Sequence, residues 1–325
     1  MTVKQFYDQL LKDTSVDPDT MQAARDKRDE VGAIVVREVR KRTGDARWVR
    51  VGALAQGTQI DPLNDFDGVI ETPELAPEWG GNPLTAMQSV RSWIEPYIDG
   101  KFTLSSHAIK IEFPDSEFTA DIVIGWKRKN GLLIPHCPDD EPHTWIATDP
   151  ETHKEQVLAR NKQFGGAAFT RQIRILKWLN RHWKMQDARE CKPLPSFHIT
   201  AIALHVLTKA AGHDEWTPYF LEQAAHLVMT PLRDPAGVGE PIEANDPAYA
   251  SQLLTDAAFR TRQALKVSDA EAEQILRGVF GDPGRLKTIV SEPTISVGAG
   301  GVLGVPAAVA DRHMRPVRAH GNGDQ

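Results

Sequence analysis

The hydrophobic residues of this chain change their spacing part-way along it. Between residues 47 and 125 they mostly alternate with polar residues, as in 109–113, and this period of two is typical of strands with one buried face. From residue 169 onward they recur at helical spacing, and 197–207 is almost continuously apolar, which indicates a buried helix. A mostly antiparallel sheet followed by a group of helices predicts an α+β fold.

A long helix is expected before the strands. Residues 18–42 carry apolar residues at helical spacing, Asp19 or Thr20 can cap the first turn, and Gly44 is a stop signal. The other elements expected in the first half are strands at 48–51 and 65–70, a helix at about 84–97, and a hairpin of 109–113 with 118–124. The helices expected in the second half lie at 169–183, 197–207, 216–229, 247–265 and 268–279. The segment 293–325, rich in Gly, Pro, Ala and Arg, is expected to be a mobile tail.

Charge and cysteine content argue against several classes of protein. The 325 residues have a formal net charge of −6, and phosphate neutralisation needs surplus Lys and Arg, so extended nucleic-acid binding is not expected. The only cysteines, Cys137 and Cys191, are too few for a disulfide framework or a Cys-rich zinc site. No signal peptide and no membrane-spanning apolar stretch is recognisable, so the sequence predicts a cytoplasmic protein without a membrane partner.

Three acidic residues occupy the expected strands. Asp65 and Asp67 lie two positions apart, so they point to the same face of their strand while Phe66 points into the core. Asp121 lies on a later strand, between two apolar residues that face the other side. If the two strands are neighbours, a spacing of about 4.8 Å lets the three carboxylates converge. Such a cluster without Cys or His favours Mg²⁺ or Mn²⁺, and two ions roughly 3.5–4 Å apart can hold an attacking hydroxyl and a leaving phosphate.

A glycine-flanked turn precedes the acidic pair. Gly52 and Gly57 allow close approach of the backbone to a ligand, and a short helix is expected to start near Thr58, where N–H groups suit phosphate oxygens. No Gly-Lys-Ser/Thr follows, which disfavours P-loop ATPase chemistry. Each feature alone is weak, because an Asp-x-Asp pair is usually solvated surface. Their combination with a later strand aspartate is much more specific.

These motifs resemble those of a known superfamily. The sequence GALAQGT at 52–58, then DFD at 65–67 and Asp121, is similar to the pattern of the polymerase-β-like nucleotidyltransferases. FTRQIRILKW at 169–178 and PSFHIT at 195–200 resemble helical-lobe motifs of cyclic GMP-AMP synthase, oligoadenylate synthase and the bacterial CD-NTases. The CD-NTases are the oligonucleotide cyclases of CBASS anti-phage systems.

The resemblance covers about residues 20–280 and implies a two-lobed nucleotidyltransferase fold. A mixed sheet lobe and a helical lobe would be joined by a long N-terminal spine helix. The implied division is 1–150 for the catalytic lobe with the spine helix, 151–288 for the helical lobe and 289–325 for the tail.

The resemblance also implies roles for individual residues. The catalytic and metal-binding residues would be Asp65, Asp67 and Asp121, with two Mg²⁺ or Mn²⁺ ions as cofactors. The nucleotide-binding residues would be Gly52, Ala53, Gln56, Gly57, Thr58, Lys177, Ser196 and Phe197. Lys177 would reach the donor triphosphate, Ser196 would bond a phosphate, and Phe197 would stack on a base where relatives often carry Tyr. From the residues alone, Lys177 also fits a solvated helix face, and Phe197 also fits a hydrophobic core.

The implied activity is the joining of NTPs into a cyclic di- or trinucleotide second messenger with release of pyrophosphate. In CBASS signalling it would have an effector and regulatory or conjugating proteins as partners. Two alternatives stay open: a nucleotidyltransferase acting on RNA, a small molecule or a protein, and a nucleotide-binding regulator that has lost turnover. Ala53 favours the regulator, because relatives usually carry Ser there and Ala lacks the hydroxyl that would bond a phosphate. A neutral hydrogen bond contributes about 1 kcal/mol. The chain lacks the zinc-binding His/Cys insertion of the animal cyclic GMP-AMP synthase. That insertion belongs to the DNA-sensing platform of the synthase, so its absence agrees with the negative net charge of this chain.

Overall fold

Two hydrophobic cores correspond to the two spacing patterns of the sequence. The computed structural model describes residues 1–186 and 193–282. One core lies between the sheet and the helices of the first half and includes Phe66 and Ile122. The other lies among the helices of the second half and includes Ile173. The predicted α+β fold with two lobes is therefore confirmed.

A mixed sheet forms the first lobe. Its strands are β1 (Arg47–Val51), β2 (Asp65–Thr72), β3 (Lys101–Leu104), β4 (Ile109–Glu112), β5 (Thr119–Lys127), β6 (Leu132–His136) and β7 (Thr144–Thr148). The order is β1-β2-β5-β4-β3, and β6 joins the end of β5 to β7. Only the β2–β5 pair is parallel in this sheet. The predicted hairpin is the β4–β5 pair, whereas β3, β6 and β7 were not predicted from their short, weakly alternating segments.

Ten helices belong to the described part of the chain. They are α1 (Val3–Asp13), α2 (Pro18–Thr43), α3 (Gly52–Gln56), α4 (Pro83–Ile94), α5 (Pro150–Gln163), α6 (Ala168–Gln186), α7 (Ser196–Val206), α8 (His213–Leu227), α9 (Pro247–Ala264) and α10 (Asp269–Phe280). Helices α1, α3 and α5 were not predicted. Across the described residues, none of the helices is long and apolar enough to cross a membrane.

Helix α2 is the expected spine, and it begins at residue 18, as predicted, but with a different capping residue. The cap is Asp17, whose carboxylate accepts hydrogen bonds from the N–H groups of Asp19 and Thr20 at 3.0 and 3.1 Å, so the prediction of Asp19 or Thr20 as the cap was wrong. Pro18 fits the first helical position because its missing N–H needs no partner there. Gly44 ends the helix with a φ of +76°, as predicted. The main partners of α2 are β1, β2 and α4, all in the sheet lobe.

Helix α1 packs in the other lobe, although it precedes the spine. Phe6 and Tyr7 contact Phe280 of α10, with ring centroids 6.0 and 5.6 Å apart. The predicted division places 1–150 in one unit, whereas this helix contributes to the core of the helical lobe. The chain therefore crosses from the helical lobe to the sheet lobe just before α2. The division of the chain stays a prediction, and Cys191 and the expected tail at 293–325 lie outside the described residues.

Candidate functional site

A cavity of about 400 Å³ lies between the two lobes. The predicted site residues that line it are Gly52, Ala53, Gln56, Thr58, Asp65, Asp67, Lys177, Ser196 and Phe197. Gly57 and Asp121 are the two predicted residues outside this lining; they adjoin it in the turn after α3 and on β5. Residues more than 100 positions apart in sequence therefore meet at one opening.

The parallel pairing of β2 with β5 brings the three carboxylates together. Asp67 stands directly opposite Asp121 in the register, and Asp65 lies two residues earlier on the same face as Asp67. Phe66, between the two acids, is completely buried, as predicted. The apolar neighbours of each acid anchor its strand in the core and leave the carboxylates on the opposite face.

Burial and repulsion from neighbouring acids oppose the ionisation of Asp67 and Asp121. Burial, with repulsion from Asp65 and Asp121, raises the pKa of Asp67 to about 7, although Lys177 and the N–H of Ala53 act in the opposite direction. Burial also raises the pKa of Asp121, against the attraction of Lys110. Below about pH 7, Asp67 therefore holds a proton in the cation-free protein.

Lys110 is a neighbour of the carboxylates that the sequence analysis missed. It stands opposite Asp121 in the antiparallel β4–β5 pair. The sequence feature that could have identified Lys110 is its position on the polar side of an alternating strand, between the buried Ile109 and Ile111. Its ammonium group offsets part of the repulsion among the acids.

The carboxylates fit a divalent cation by their chemistry. Asp121 Oδ1 is buried and has no hydrogen-bond partner among the described residues, and such an oxygen is costly to leave unsatisfied. Mg²⁺ and Mn²⁺ prefer oxygen ligands of this kind. In the described part of the chain, however, no three His, Cys, Asp or Glu side chains already form a group able to hold a metal ion. The donors are therefore of the right kind, and their side chains must adjust to close around an ion.

The turn that carries α3 touches Asp67 directly. Gly52 begins α3 with a φ of +70°, and a Cβ added there would lie 1.7 Å from Asp67 Oδ2. Only glycine meets both demands, since other residues are strained at this φ and would displace the carboxylate. Gly57 ends the helix with a φ of +72°, and no atom lies within 4 Å of an added Cβ.

The expectation of a helix start near Thr58 was wrong. Helix α3 ends there, because the segment from Gly52 to Gln56 is already helical and Gly57 is its left-handed cap. The N–H of Thr58 donates to the carbonyl of Ala53 at 3.0 Å, so it is occupied within the turn. The Thr58 side chain, rather than its N–H, faces the other lobe.

Two cations on α6 reach across the cavity to the sheet lobe. Lys177 Nζ donates to Thr58 Oγ1 at 2.9 Å. Arg181 Nη1 donates to the carbonyl of Asp61 at 2.6 Å, and burial lowers the pKa of Arg181. Arg181 was missed, although its spacing of four residues from Lys177 places both on one helix face. The pair gives the cavity positive charge opposite the carboxylates.

The first turn of α7 supplies an aromatic wall. Ser196 and Phe197 line the cavity, and the Phe197 side chain is 36% exposed. Phe197 is therefore not a core residue, and its ring faces a cavity wide enough for a ligand. His153 of α5, which the sequence analysis also missed, lies against this ring.

The comparisons with known proteins give the fold. No protein-family model and no curated protein matches the chain. Among solved structures, it is similar to CdnG of Bradyrhizobium diazoefficiens in complex with GTP, a CD-NTase, at a TM-score of 0.70 and 15% identity over 88% of this chain and 97% of that one. The chain has the CD-NTase fold. The fold implied by the sequence resemblance is therefore confirmed.

Two further structures with this CD-NTase fold come from other bacteria. Vibrio cholerae DncV, a cyclic AMP-GMP synthase in complex with a linear intermediate, matches at a TM-score of 0.69 and 13% identity, over 87% of this chain and 97% of that one. Escherichia coli CdnC in complex with HORMA-deltaN matches at a TM-score of 0.66 and 15% identity, over 86% of this chain and 98% of that one. The roles of individual residues in this chain stay predictions.

Proposed function

We propose that the protein is a metal-dependent nucleotidyltransferase that joins NTPs into a cyclic di- or trinucleotide with release of pyrophosphate. The observation that carries the proposal is the clustering of Asp65, Asp67 and Asp121 on two paired strands. The first two acids line an inter-lobe cavity that Lys177 and Phe197 also line. The cavity thus combines groups suited to cations, phosphate and a base. The likeness of the fold to a cyclic AMP-GMP synthase supports a cyclic product.

Each step of the reaction assigns a task to residues of this chain. A ribose hydroxyl oxygen forms a bond to the α-phosphorus of a second nucleotide, the bond to the bridging oxygen breaks, pyrophosphate leaves, and the hydroxyl proton passes to solvent. Asp65, Asp67 and Asp121 would hold Mg²⁺ or Mn²⁺, and the bound ion would lower the pKa of the hydroxyl and stabilise the leaving charge. Lys177 binds the triphosphate, and Phe197 stacks on the base.

The biological setting extends the same proposal. CdnC is in complex with a HORMA protein, and we infer a regulatory protein partner for this chain on that likeness. The cyclic product would act as a second messenger on an effector in CBASS anti-phage signalling. If a partner protein co-purifies with the unmodified protein from the native host, this inference is supported.

Incubation of the purified protein with all four NTPs and Mg²⁺ or Mn²⁺ tests the activity. We expect pyrophosphate and a cyclic oligonucleotide by mass spectrometry. Ala53→Ser is expected to raise the rate about tenfold or more, because a hydroxyl bonded to a charged phosphate contributes at least about 1.5 kcal/mol, and each 1.36 kcal/mol changes a rate tenfold. No pyrophosphate from either protein would contradict the proposal, and NTP binding by calorimetry without product would select the regulator that has lost turnover. Labelling of an added RNA or small molecule, without product from NTPs alone, would select the other-acceptor enzyme.

A thermal melt tests cation binding without relying on turnover. At pH 8, millimolar Mn²⁺ is expected to raise the Tm by about 3 °C or more, since a ligand at 100 times its Kd stabilises by about 2.7 kcal/mol. The rise should be smaller at pH 6, because the raised pKa of Asp67 means that the cation must then displace a proton. Asp67→Asn should remove most of the effect. An equal Mn²⁺ response in that variant would contradict the assignment.

Lys177→Met tests the assigned phosphate contact. The variant keeps an apolar stem but loses the charge that faces Thr58, and we expect KM for NTP to rise about tenfold with a smaller change in kcat. Lys184→Met is the matched control, because Lys184 lies on the same helix but does not line the cavity. Similar KM values for the two variants would argue against a triphosphate contact.

A further inference from the structure

The ring of Phe197 rests on a second ring that no motif pointed to. His153 lies with its centroid 4.7 Å from that of Phe197, at an interplanar angle of 54°. Phe197 is 36% exposed, whereas His153 is 6% exposed, and both line the inter-lobe cavity. The exposed ring of the cavity wall is therefore backed by a buried imidazole.

The imidazole is itself held by Asp234, in the segment between α8 and α9. His153 Nε2 and Asp234 Oδ1 are 2.5 Å apart, and the N–H groups of Val238 and Gly239 donate to Asp234 Oδ2 at 3.2 and 2.8 Å. Burial alone would raise the pKa of Asp234, but the hydrogen bonds from Gly239 and His153 outweigh it and lower this pKa. Asp234 is therefore a carboxylate, at 4% exposure.

The ionised Asp234 fixes the proton on the imidazole. A carboxylate only accepts hydrogen bonds, so His153 Nε2 must carry the proton and donate it. A ring bonded at one edge to a rigidly held carboxylate cannot rotate without leaving that carboxylate buried and unpaired, which is costly. The chain thus fixes the orientation of the ring that touches Phe197.

We propose that His153, held by Asp234, is a positioning residue that sets the Phe197 ring for stacking on the nucleobase of a bound NTP. The inference rests on the proposed function, since it concerns the same nucleotide. Stacking on an aromatic side chain contributes about 1–3 kcal/mol per base, and its strength grows with the stacked area. The Phe197 ring held in this way therefore strengthens the binding of purine nucleotides, which have two fused rings, more than that of pyrimidine nucleotides.

Binding of two probes separates the base contact from the phosphate contact. Calorimetry with a non-hydrolysable ATP analogue reports both contacts, and tripolyphosphate reports the phosphate contact alone. His153→Gln keeps an N–H donor for Asp234 but removes the ring. We expect its Kd for the ATP analogue to rise roughly 3- to 10-fold, with the Kd for tripolyphosphate within about twofold of that of the unmodified protein. In the same variant, a UTP analogue should lose less binding affinity than the ATP analogue.

Two further variants complete the test. Asp234→Asn, which keeps the side-chain shape but loses the charge that orients the ring, should weaken the ATP analogue in the same selective way. His226→Gln, at an exposed histidine of α8, is the matched control and should change neither Kd. Circular dichroism and thermal melts confirm the folding of each variant.

The outcomes distinguish this inference from the proposed function. An unchanged Kd for the ATP analogue in both His153→Gln and Asp234→Asn would overturn the inference and leave the proposed function standing. Equal losses for the ATP analogue and tripolyphosphate would overturn it too, because they would show a general structural role. Failure of the unmodified protein to bind any NTP analogue would overturn the proposed function and the inference together.

Discussion

The double variant Asp65→Asn with Asp67→Asn is expected to abolish nucleotide joining, with a loss of roughly 10³-fold or more. Metal-bound charge stabilisation is worth several kcal/mol, and each 1.36 kcal/mol changes a rate tenfold. The fold should persist, because both changes keep the side-chain shape and remove repulsion between the exposed Asp65 and the half-buried Asp67. Pyrophosphate release and mass spectrometry of the products, beside a thermal melt, measure the two effects.

A matched acidic pair controls for the loss of two negative charges. Asp139 and Asp140 are exposed neighbours in the segment between β6 and β7, and neither lines the cavity. Asp139→Asn with Asp140→Asn should therefore keep full activity. Retained activity in the Asp65 and Asp67 double variant would refute the roles assigned to both acids.

Gly52→Ala is the substitution with the second-largest expected effect. Its Cβ would lie 1.7 Å from Asp67 Oδ2, so the carboxylate must move by more than 1 Å, and misplacement on that scale costs about 10²-fold in rate. The positive φ adds roughly 1–2 kcal/mol of backbone strain. We expect a rate loss of about 100-fold with a decrease of a few degrees in the Tm, read from pyrophosphate release and a thermal melt.

Gly44→Ala isolates the strain from the steric contact. Gly44 has nearly the same φ, +76°, but no atom lies within 4 Å of an added Cβ, and it lies outside the site. It should lower the Tm by a similar amount while leaving most of the activity. Equal activities of the two variants would mean that the position of Asp67 does not depend on the contact with Gly52.

The acidic strands were accessible to sequence reasoning because their signal is local. Alternation fixes which face a strand residue occupies, so Asp65 and Asp67 had to share a face and Phe66 had to be buried. The meeting with Asp121 needed one further condition, that the strands be neighbours. Pairing between β2 and β5 is a long-range property, and β3 and β4 lie between them in the chain. The sequence supplied the faces, and the topology supplied the contact.

The residues that sequence reasoning missed owe their positions to contacts between distant segments. His153 and Asp234 come from separate parts of the helical half, and no periodic pattern links them to each other or to the predicted Phe197. Helix α1 was missed because its short amphipathic segment gains stability from packing on Phe280, far along the chain. The cap of α2 was misplaced by two or three residues because Asp17, Asp19 and Thr20 are all good capping residues.

The early placement of α1 has a consequence for how the cavity can widen. The chain passes between the lobes twice among the described residues, once between α1 and α2 and once between β7 and α5. These two covalent connections restrict a large motion of one lobe relative to the other to a rotation about the line that joins them. Such a rotation would pull Lys177 from Thr58 and Arg181 from Asp61, so a wider cavity would lack these two bonds between the lobes.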